Sequence, residues 1–160
     1  MLLDSINPAN TLVLKETKAA GQALGLKLQT LEVRGVIGLD KAFGLAKKNR
    51  AQAVHLLPST LFLAQRSNIA ALAAKSKLPA MYYDRLFAEA GGLVSYGSNL
   101  SDLYRRTAYY VDRILKGTKP ADLPVEQPMK FEFIINLNAA KQIGVTIPQW
   151  TLMKADRVIR

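Results

Sequence analysis

The stretch Lys119–Arg160, KPADLPVEQPMKFEFIINLNAAKQIGVTIPQWTLMKADRVIR, contains several kinds of element in an order that generic packing does not require. Prolines recur every four residues at Pro120, Pro124 and Pro128, and proline is excluded from helix interiors and central strands. The chain is therefore expected to run exposed or along an edge there. A long apolar strand, Phe131 to Leu137, follows at once, and then come a short helix and a helical turn that begins at a proline. Such a tail is expected to close a domain rather than to perform chemistry.

Length and composition limit the classes of protein to which the chain can belong. It has 160 residues, 49% of them hydrophobic, and no cysteine. This length is typical of one domain with its own core, and the lack of cysteine excludes disulfides, thiolate metal sites and cysteine nucleophiles. No apolar run approaches the roughly 20 residues of a membrane-spanning helix. The segment MLLDSINPAN has neither the basic leader nor the apolar core of a secretory signal, so the chain as written is expected to stay in the cytosol.

The net charge of +10, from 22 basic and 12 acidic residues, raises the question of a nucleic-acid partner. The basic residues lie in separate groups at predicted helix ends and solvated helix faces, where cations are favoured. The groups are Lys47, Lys48 and Arg50, then Lys75 and Lys77, then Arg105, Arg106 and Arg113. No aromatic-plus-basic strand motif and no glycine-hinged recognition helix accompanies them. We therefore expect solvated surface charge and no nucleic-acid partner.

Predicted strands and helices alternate along the first two thirds of the chain. Strands are predicted at 2–5, 27–33, 53–57, 79–83 and 93–96. Helices are predicted at about 13–24, with Asn10 as N-cap candidate, at 39–50, and after Ser59 and Thr60, which can cap the third. This alternation, with strands about every 25 residues, is typical of an α/β fold with a doubly wound parallel sheet. Ligands bind such sheets beyond the carboxyl ends of the strands, which places candidate loops at 7–11, 35–38, 58–61, 83–85 and 95–99.

A further helix is predicted at 101–116, with Gly117 as its stop. One face of it carries an apolar stripe, formed by Leu103, Tyr104, Thr107, Val111 and Leu115.

Motifs that would indicate catalysis are absent. The chain has no phosphate-binding loop of the form GxxxxGK[ST], and no GxGxxG opens a helix. His55, the only histidine, lies in a predicted core strand, and no histidine follows Ser95 in GGLVSYG to serve as its base. The carboxylates show no metal-ligand spacing. We therefore interpret the chain as a binding module, with no catalytic residues, no metal and no cofactor.

Three segments, in order, are similar to one bacterial family. They are NPANTLVLKETKAAGQALGLKLQTLEVRG, PAMYYDRLFAEAGGLVSYGSNLSDLYRRTAYYVDRILKGTKPADLPVEQP and KFEFIINLNAAKQIGVTIP, which together cover nearly the whole chain. The combination of EAGGLVSYG with KGTKPADLPVEQP is highly specific. The chain thus resembles the ABC-transporter substrate-binding proteins related to the tryptophan/tyrosine-type binding proteins, which have the periplasmic binding protein type 1 fold.

The resemblance implies one lobe of a two-lobed periplasmic-binding-protein-like fold, namely the second lobe and the C-terminal crossing without the first lobe. Residues 1–98 would be the α/β core, with a truncated N-terminal start. Residues 99–128 would be a crossing helix and extended linker that pack on the missing first lobe. Residues 129–160 would be the closing strand and C-terminal helices. Without its partner lobe, the helix at 101–116 is expected to drive homo-oligomer formation or to refold against a neighbour.

The resemblance also implies a function. It indicates a solute receptor outside the cytoplasmic membrane, in the periplasm, that delivers a small molecule, often an aromatic amino acid or similar compound, to an ABC permease. Two lobes of such a receptor close around the ligand. The ligand-binding residues implied by position are Asn7, Ala9, Asn10, Thr11, Ser59, Thr60, Tyr83, Asp84 and Ser95.

Some details of this implied site are specific to the chain. Asn10 and Ser59, if they begin helices, are expected to present backbone N–H groups to a ligand carboxylate. The family's loop after the third strand commonly carries Asp or Asn, whereas this chain has Pro58-Ser59-Thr60-Leu61. With half the cleft, the chain alone is expected to bind solute weakly or not at all. Two alternatives stay open: the effector-sensing domain of a transcription regulator, which shares the two-lobed fold, and an oligomerising fragment without a ligand.

Overall fold

The computed structural model describes all residues, 1–160, as an α/β fold. The strands are β1 Leu2–Asp4, β2 Leu31–Val33, β3 Val54–His55, β4 Ala80–Tyr82, β5 Val94–Ser98, β6 Phe131–Asn136 and β7 Arg157–Ile159. The helices are α1 Asn10–Ala23, α2 Gly38–Lys48, α3 Thr60–Ala64, α4 Arg66–Lys75, α5 Arg85–Glu89, α6 Leu100–Leu115, α7 Leu137–Ile143 and α8 Gln149–Leu152, with a 3₁₀ turn at Pro120–Asp122. None of the helices combines the length and the apolar character that crossing a membrane requires.

The strands form a largely parallel sheet. A pair, β1 with β2, lies beside a five-stranded sheet of order β3-β4-β5-β6-β7. A parallel bridge between Leu2 and Leu56, with Leu57 N–H donating to Leu2 O at 3.0 Å, joins the two pieces. The whole order is therefore β2-β1-β3-β4-β5-β6-β7. The predicted α/β class with a parallel, doubly wound sheet is confirmed, and one pair, β5 with β6, is antiparallel.

The antiparallel pair corrects the predicted end of the fifth strand. The sequence placed a loop at 95–99, but β5 continues to Ser98, which pairs with Phe131. Ser95 is therefore inside a strand, opposite Ile134. The extension depends on the return of β6 alongside β5, which the local sequence of β5 does not reveal.

The tail contains an additional strand that the sequence did not predict. We expected residues 129–160 to contain the closing strand followed by helices only, and β7 at Arg157–Ile159 corrects this. It pairs in parallel with β6, with Ile135 opposite Val158. A strand of three residues is too short to show an alternating pattern, so its pairing with β6 defines it.

Helices and strands share one main core. In β4, Ala80 and Tyr82 are buried whereas Met81 is 39% exposed, so one face of the sheet is covered and the other is partly open. The covered face packs against α2, α3, α4 and α5, and α7 extends this packing through contact with α4. The largest fully buried side chains are Tyr82, Phe43, Phe62, Phe87, Leu2, Leu39, Leu56, Leu57, Ile69, Ile134, Ile135 and Val33. Each contributes about 1.5–3 kcal/mol by leaving water.

Helix α6 stands apart from this core. None of its residues is buried, and it contacts mainly the extended segment 124–129. Arg106 is bound to the Glu126 carboxylate, and Tyr110 Oη donates to Pro124 O at 2.7 Å. Between helix and segment lies an open groove of about 520 Å³.

Candidate ligand-binding edge

The carboxyl ends of β1, β3 and β4 lie side by side at one edge of the sheet. The chain leaves β1 toward β2 on one side and leaves β3 toward β4 on the other, so β1 and β3 flank the point where the strand order reverses. Open α/β sheets bind ligands at such a switch point. The residues that follow these three strands therefore form the candidate edge.

A buried hydrogen bond joins the ends of β1 and β3. Ser59 Oγ donates to Asp4 Oδ2 at 2.7 Å, and the two residues are 5% and 6% exposed. The same Oγ accepts from Phe62 N–H at 3.3 Å, which confirms the prediction that Ser59 caps α3. Asp4 Oδ1 accepts from Ile6 N–H at 3.1 Å. The buried carboxylate is thus held from two sides, as buried charges require.

Two asparagines fix the chain between β1 and α1. Asn7 Oδ1 accepts from Ala9 N–H at 3.1 Å, while its Nδ2 donates to Pro58 O at 3.0 Å and ties this turn to the loop after β3. Asn10 is not the N-cap that the sequence predicted. It is the first residue of α1, 3% exposed, and its Nδ2 donates to Asp4 O at 2.9 Å. Ala9 occupies the N-cap position of α1 without a side-chain cap, and the Asn10 side chain holds the end of β1 instead.

Tyr83 extends the cluster to the end of β4. Its hydroxyl donates to Ser59 O at 2.5 Å and accepts from Ser59 N–H at 3.3 Å. Burial raises the pKa of Tyr83, the hydrogen bond to Ser59 acts in the opposite sense, and the charge of Asp84 adds to the increase. Asp84 itself caps α5 by accepting from Leu86 N–H at 2.8 Å, and its second oxygen has no partner in the chain.

The structure brings eight of the nine sequence-predicted residues to this edge. Ala9, Thr11 and Thr60 are exposed, and Asn7, Tyr83 and Asp84 are partly exposed. Asn10 and Ser59 are buried beneath them. Ser95 is not brought together with the others: it is 1% exposed within β5, and its hydroxyl has no partner.

The expectation that Asn10 and Ser59 present backbone N–H groups to a carboxylate does not fit the geometry. Asn10 N–H donates to Asn7 O at 3.1 Å, and Ser59 N–H donates to the Tyr83 hydroxyl. Both amides are engaged inside the protein, because the turn after β1 and the tyrosine after β4 already occupy them. A carboxylate at this edge would need other donors.

Asp4 is a member of the cluster that the sequence analysis missed. The sequence pattern that could have identified Asp4 is an acidic residue directly after two buried apolar residues of a strand, at the carboxyl end where candidate sites lie. Such a residue is either exposed or partnered, and here Ser59 is the partner.

No cluster of His, Asp and Glu side chains on the chain could hold a metal ion. His55 lies in β3, partly buried, where desolvation and then the charge of the chain's amino group lower its pKa, opposed by a hydrogen bond to the backbone of Met81. It lies inside the sheet, as the sequence predicted. The candidate edge consists of amide, hydroxyl and carboxylate groups, which suit hydrogen-bonded recognition of a polar small molecule.

Solved structures with this fold come from several bacteria. A conserved domain protein from Vibrio cholerae superposes with a TM-score of 0.88 at 22% identity, covering 98% of this chain and 53% of that one. An ABC domain in complex with L-Trp from Streptococcus pneumonia superposes at 0.87 with 26% identity, covering 99% and 53%. A ligand-free, open substrate-binding protein with adhesive properties from Clostridium difficile superposes at 0.74 with 16% identity, covering 99% and 52%.

The chain thus spans about half the length of these structures. No curated protein matches it by sequence. A family profile described as ABC transporter substrate binding protein matches residues 1–159. Since this match covers almost the whole of its 160 residues, the chain belongs to the family of ABC transporter substrate-binding proteins.

Proposed function

We propose that the chain forms one wall of a solute-binding cleft in an ABC import system, with the solute held between this lobe and a second lobe. Two observations support this proposal. The family match spans residues 1–159, and the polar residues after β1, β3 and β4 converge at one edge of the sheet, where the strand order reverses. A permease partner and a location outside the cytoplasmic membrane are part of this proposal.

The side chains at the edge divide into two proposed roles. Asn7, Thr11, Thr60, Tyr83 and Asp84 reach solvent and would contact the solute. Asp4, Asn10 and Ser59 are buried and hydrogen-bonded below them, so they would hold the contacting loops in place. Pre-organised loops bind more tightly because less conformational entropy is lost.

The proposed solute is an amino acid or a similar compound with an aromatic group. Support comes from the relative in complex with L-Trp, to which this chain is 26% identical over 99% of its length. The free carboxylate oxygen of Asp84 is suited to accept a hydrogen bond from an ammonium group. The partly exposed ring of Tyr83, which packs edge-on against Phe87 at 5.3 Å, offers an aromatic surface beside it.

Residues 99–128 are proposed to form a crossing helix and linker that pack on the partner lobe. Helix α6 buries nothing here, and Tyr104 and Leu115 are 71% and 82% exposed. We propose that this apolar face packs on a second lobe, and that the isolated chain covers it by self-association. Analytical ultracentrifugation of the chain should detect dimers that a Leu115→Lys variant lacks. A monomer at all concentrations would contradict self-association.

The identity of the solute can be tested by a thermal-shift screen. The protein as encoded in its genome is screened against the amino acids and their indole and phenol analogues. A solute present at about 100 times its Kd should stabilise the protein by about 2.7 kcal/mol. Calorimetry should then give a Kd at least tenfold weaker for Asp84→Asn, which keeps an oxygen for the α5 cap but loses the charge. No stabilising compound in the screen would count against an amino-acid solute.

A control variant at a second carboxylate tests whether the loss of affinity is specific to Asp84. Asp122→Asn removes an exposed carboxylate from the 3₁₀ turn Pro120–Asp122, outside the loops after β1, β3 and β4, and should leave the Kd unchanged. If both variants weakened binding equally, the effect would come from net charge rather than from Asp84.

A further inference from the structure

Two helices end in a way that the others do not. Arg50, after α2, and Lys77, after α4, have left-handed backbone conformations with φ of 54° and 52°. They are the only residues other than glycine with positive φ in the chain. Glycine occupies the same conformation after the other helices that end this way, at Gly25, Gly91, Gly117 and Gly144.

Any residue other than glycine is unfavourable in the left-handed backbone conformation. Glycine enters the left-handed region without steric cost, whereas a residue with a Cβ is strained there. Strain of this kind points to a function when the side chain supplies something glycine does not. At both positions the side chain supplies a positive charge.

The two strained residues lie at the amino edge of the sheet, defined here as the loops 24–30, 49–53 and 76–79 that precede β2, β3 and β4, with the last turns of α2 and α4. Six exposed cations lie on it: Lys27, Lys47, Lys48, Arg50, Lys75 and Lys77. Because the strand order is β2-β1-β3-β4, at about 4.8 Å per strand these loops span only about 15 Å.

The amino edge has no compensating negative side chains. Its three loops and two helix ends contain neither Asp nor Glu, and none of the six cations takes part in a salt bridge. All six salt bridges of the chain involve residues from Arg85 onward. Six unpaired cations within such a short span form a field that attracts a polyanionic surface.

Exposed apolar side chains lie among these cations. Leu24 is 74% exposed and Leu26 is 58% exposed, on either side of the turn at Gly25 and next to Lys27. Leucines beside lysines are typical of protein surfaces that rest in a lipid headgroup layer. The three loops contain no aromatic residue, which a surface that stacks nucleic-acid bases requires.

We propose that the amino edge is a docking surface for anionic phospholipid headgroups, with Arg50 and Lys77 retained for their charge. It lies at the opposite end of the strands from the candidate ligand-binding edge, so docking leaves that edge free. Docking at the amino edge does not depend on which solute the other edge binds.

The test is co-sedimentation of the purified protein with vesicles of phosphatidylcholine, with and without about 30 mol% phosphatidylglycerol. We expect binding to the anionic vesicles alone, and its loss at about 0.5 M salt. The double variant Arg50→Gly and Lys77→Gly should bind about 25-fold more weakly, since each cation near an anionic surface contributes about fivefold. The same variant should unfold at the same or a higher urea concentration, because glycine relieves the strain. A double variant that binds as the wild type does would overturn the proposal.

Two controls make the result specific. Arg113→Gln with Lys119→Gln removes the same charge from the end of α6 and the turn that follows it, outside the amino edge, and should change binding less than twofold. An equal loss in this control would show that net charge, not the edge, binds the vesicles, and would refute the proposal. Tighter binding to a 20-base-pair DNA duplex than to the vesicles, lost in the double glycine variant, would identify a nucleic-acid surface instead.

Discussion

Ser59 Oγ and Asp4 Oδ2 lie 2.7 Å apart at the point where the sheet order reverses, and both side chains are buried. This bond connects the ends of β1 and β3, and Ser59 also caps α3. One hydroxyl therefore satisfies a buried carboxylate and begins a helix, at the edge where we propose that solute binds.

Ser59→Ala should destabilise the fold. The change removes a hydrogen bond to a charged group and an N-cap, so the free energy of unfolding should fall by about 2–4 kcal/mol in urea titrations. Thr60→Ala, at the exposed neighbouring residue, should change it by less than about 0.5 kcal/mol. Equal effects of the two changes would show that the bond to Asp4 does not stabilise the native state.

Tyr82 and Tyr83 should respond in opposite ways to loss of their hydroxyls. The Tyr82 hydroxyl is buried without a partner, which also raises its pKa, so Tyr82→Phe should leave stability unchanged or raise it by about 1 kcal/mol. Tyr83→Phe loses its bonds to Ser59 and should lower stability by about 1 kcal/mol. Urea unfolding of both variants decides the matter, and a loss at Tyr82 as large as that at Tyr83 would reveal an ordered water on the former.

Gly97 should not accept a side chain. A Cβ there would overlap with the carbonyl oxygen of Tyr83, so Gly97→Ala must move the end of β4. We expect a loss of about 1–3 kcal/mol, measured as a lower melting temperature. Gly44, in the interior of α2 with open space around it, is the matched control: Gly44→Ala should stabilise by about 0.5–1 kcal/mol. Two losses of similar size would argue against close backbone contact at Gly97.

The contact between α6 and residues 124–129 should depend on pH. Hydrogen bonds from the Arg106 guanidinium lower the pKa of Glu126 below its ordinary value of 4.5. Because the folded pKa is depressed, the contact is fully present above that ordinary value and is lost as the pH falls through the folded pKa.

An NMR titration of the Glu126 carboxyl carbon should show this. In the wild type the midpoint should lie below 4.5, and in Arg106→Gln it should rise toward the ordinary value. The same midpoint in both proteins would mean that the ion pair is not formed in solution.

The sequence determined those features that are written in local patterns. Alternating strands and helices with glycine and proline at their ends specified an α/β fold with a parallel sheet, and the parallel order in turn selected the five loops that follow its strands, among them those after β1, β3 and β4. Ser59 as a cap, His55 inside the sheet and α6 as an amphipathic helix follow from residue type and spacing. These features depend on residues within a few positions of each other.

Tertiary structure decided what depends on distant residues. Asp4 became part of the site because Ser59, 55 residues away, supplies its partner, and the Ser59 amide is occupied by the hydroxyl of Tyr83, which only folding brings near. Ser95 is enclosed in β5 because β6 returns alongside it, and β7 exists only through pairing with β6. A side chain's neighbours along the chain specify its local conformation, but burial and hydrogen-bond partners are properties of strands that meet across the sheet.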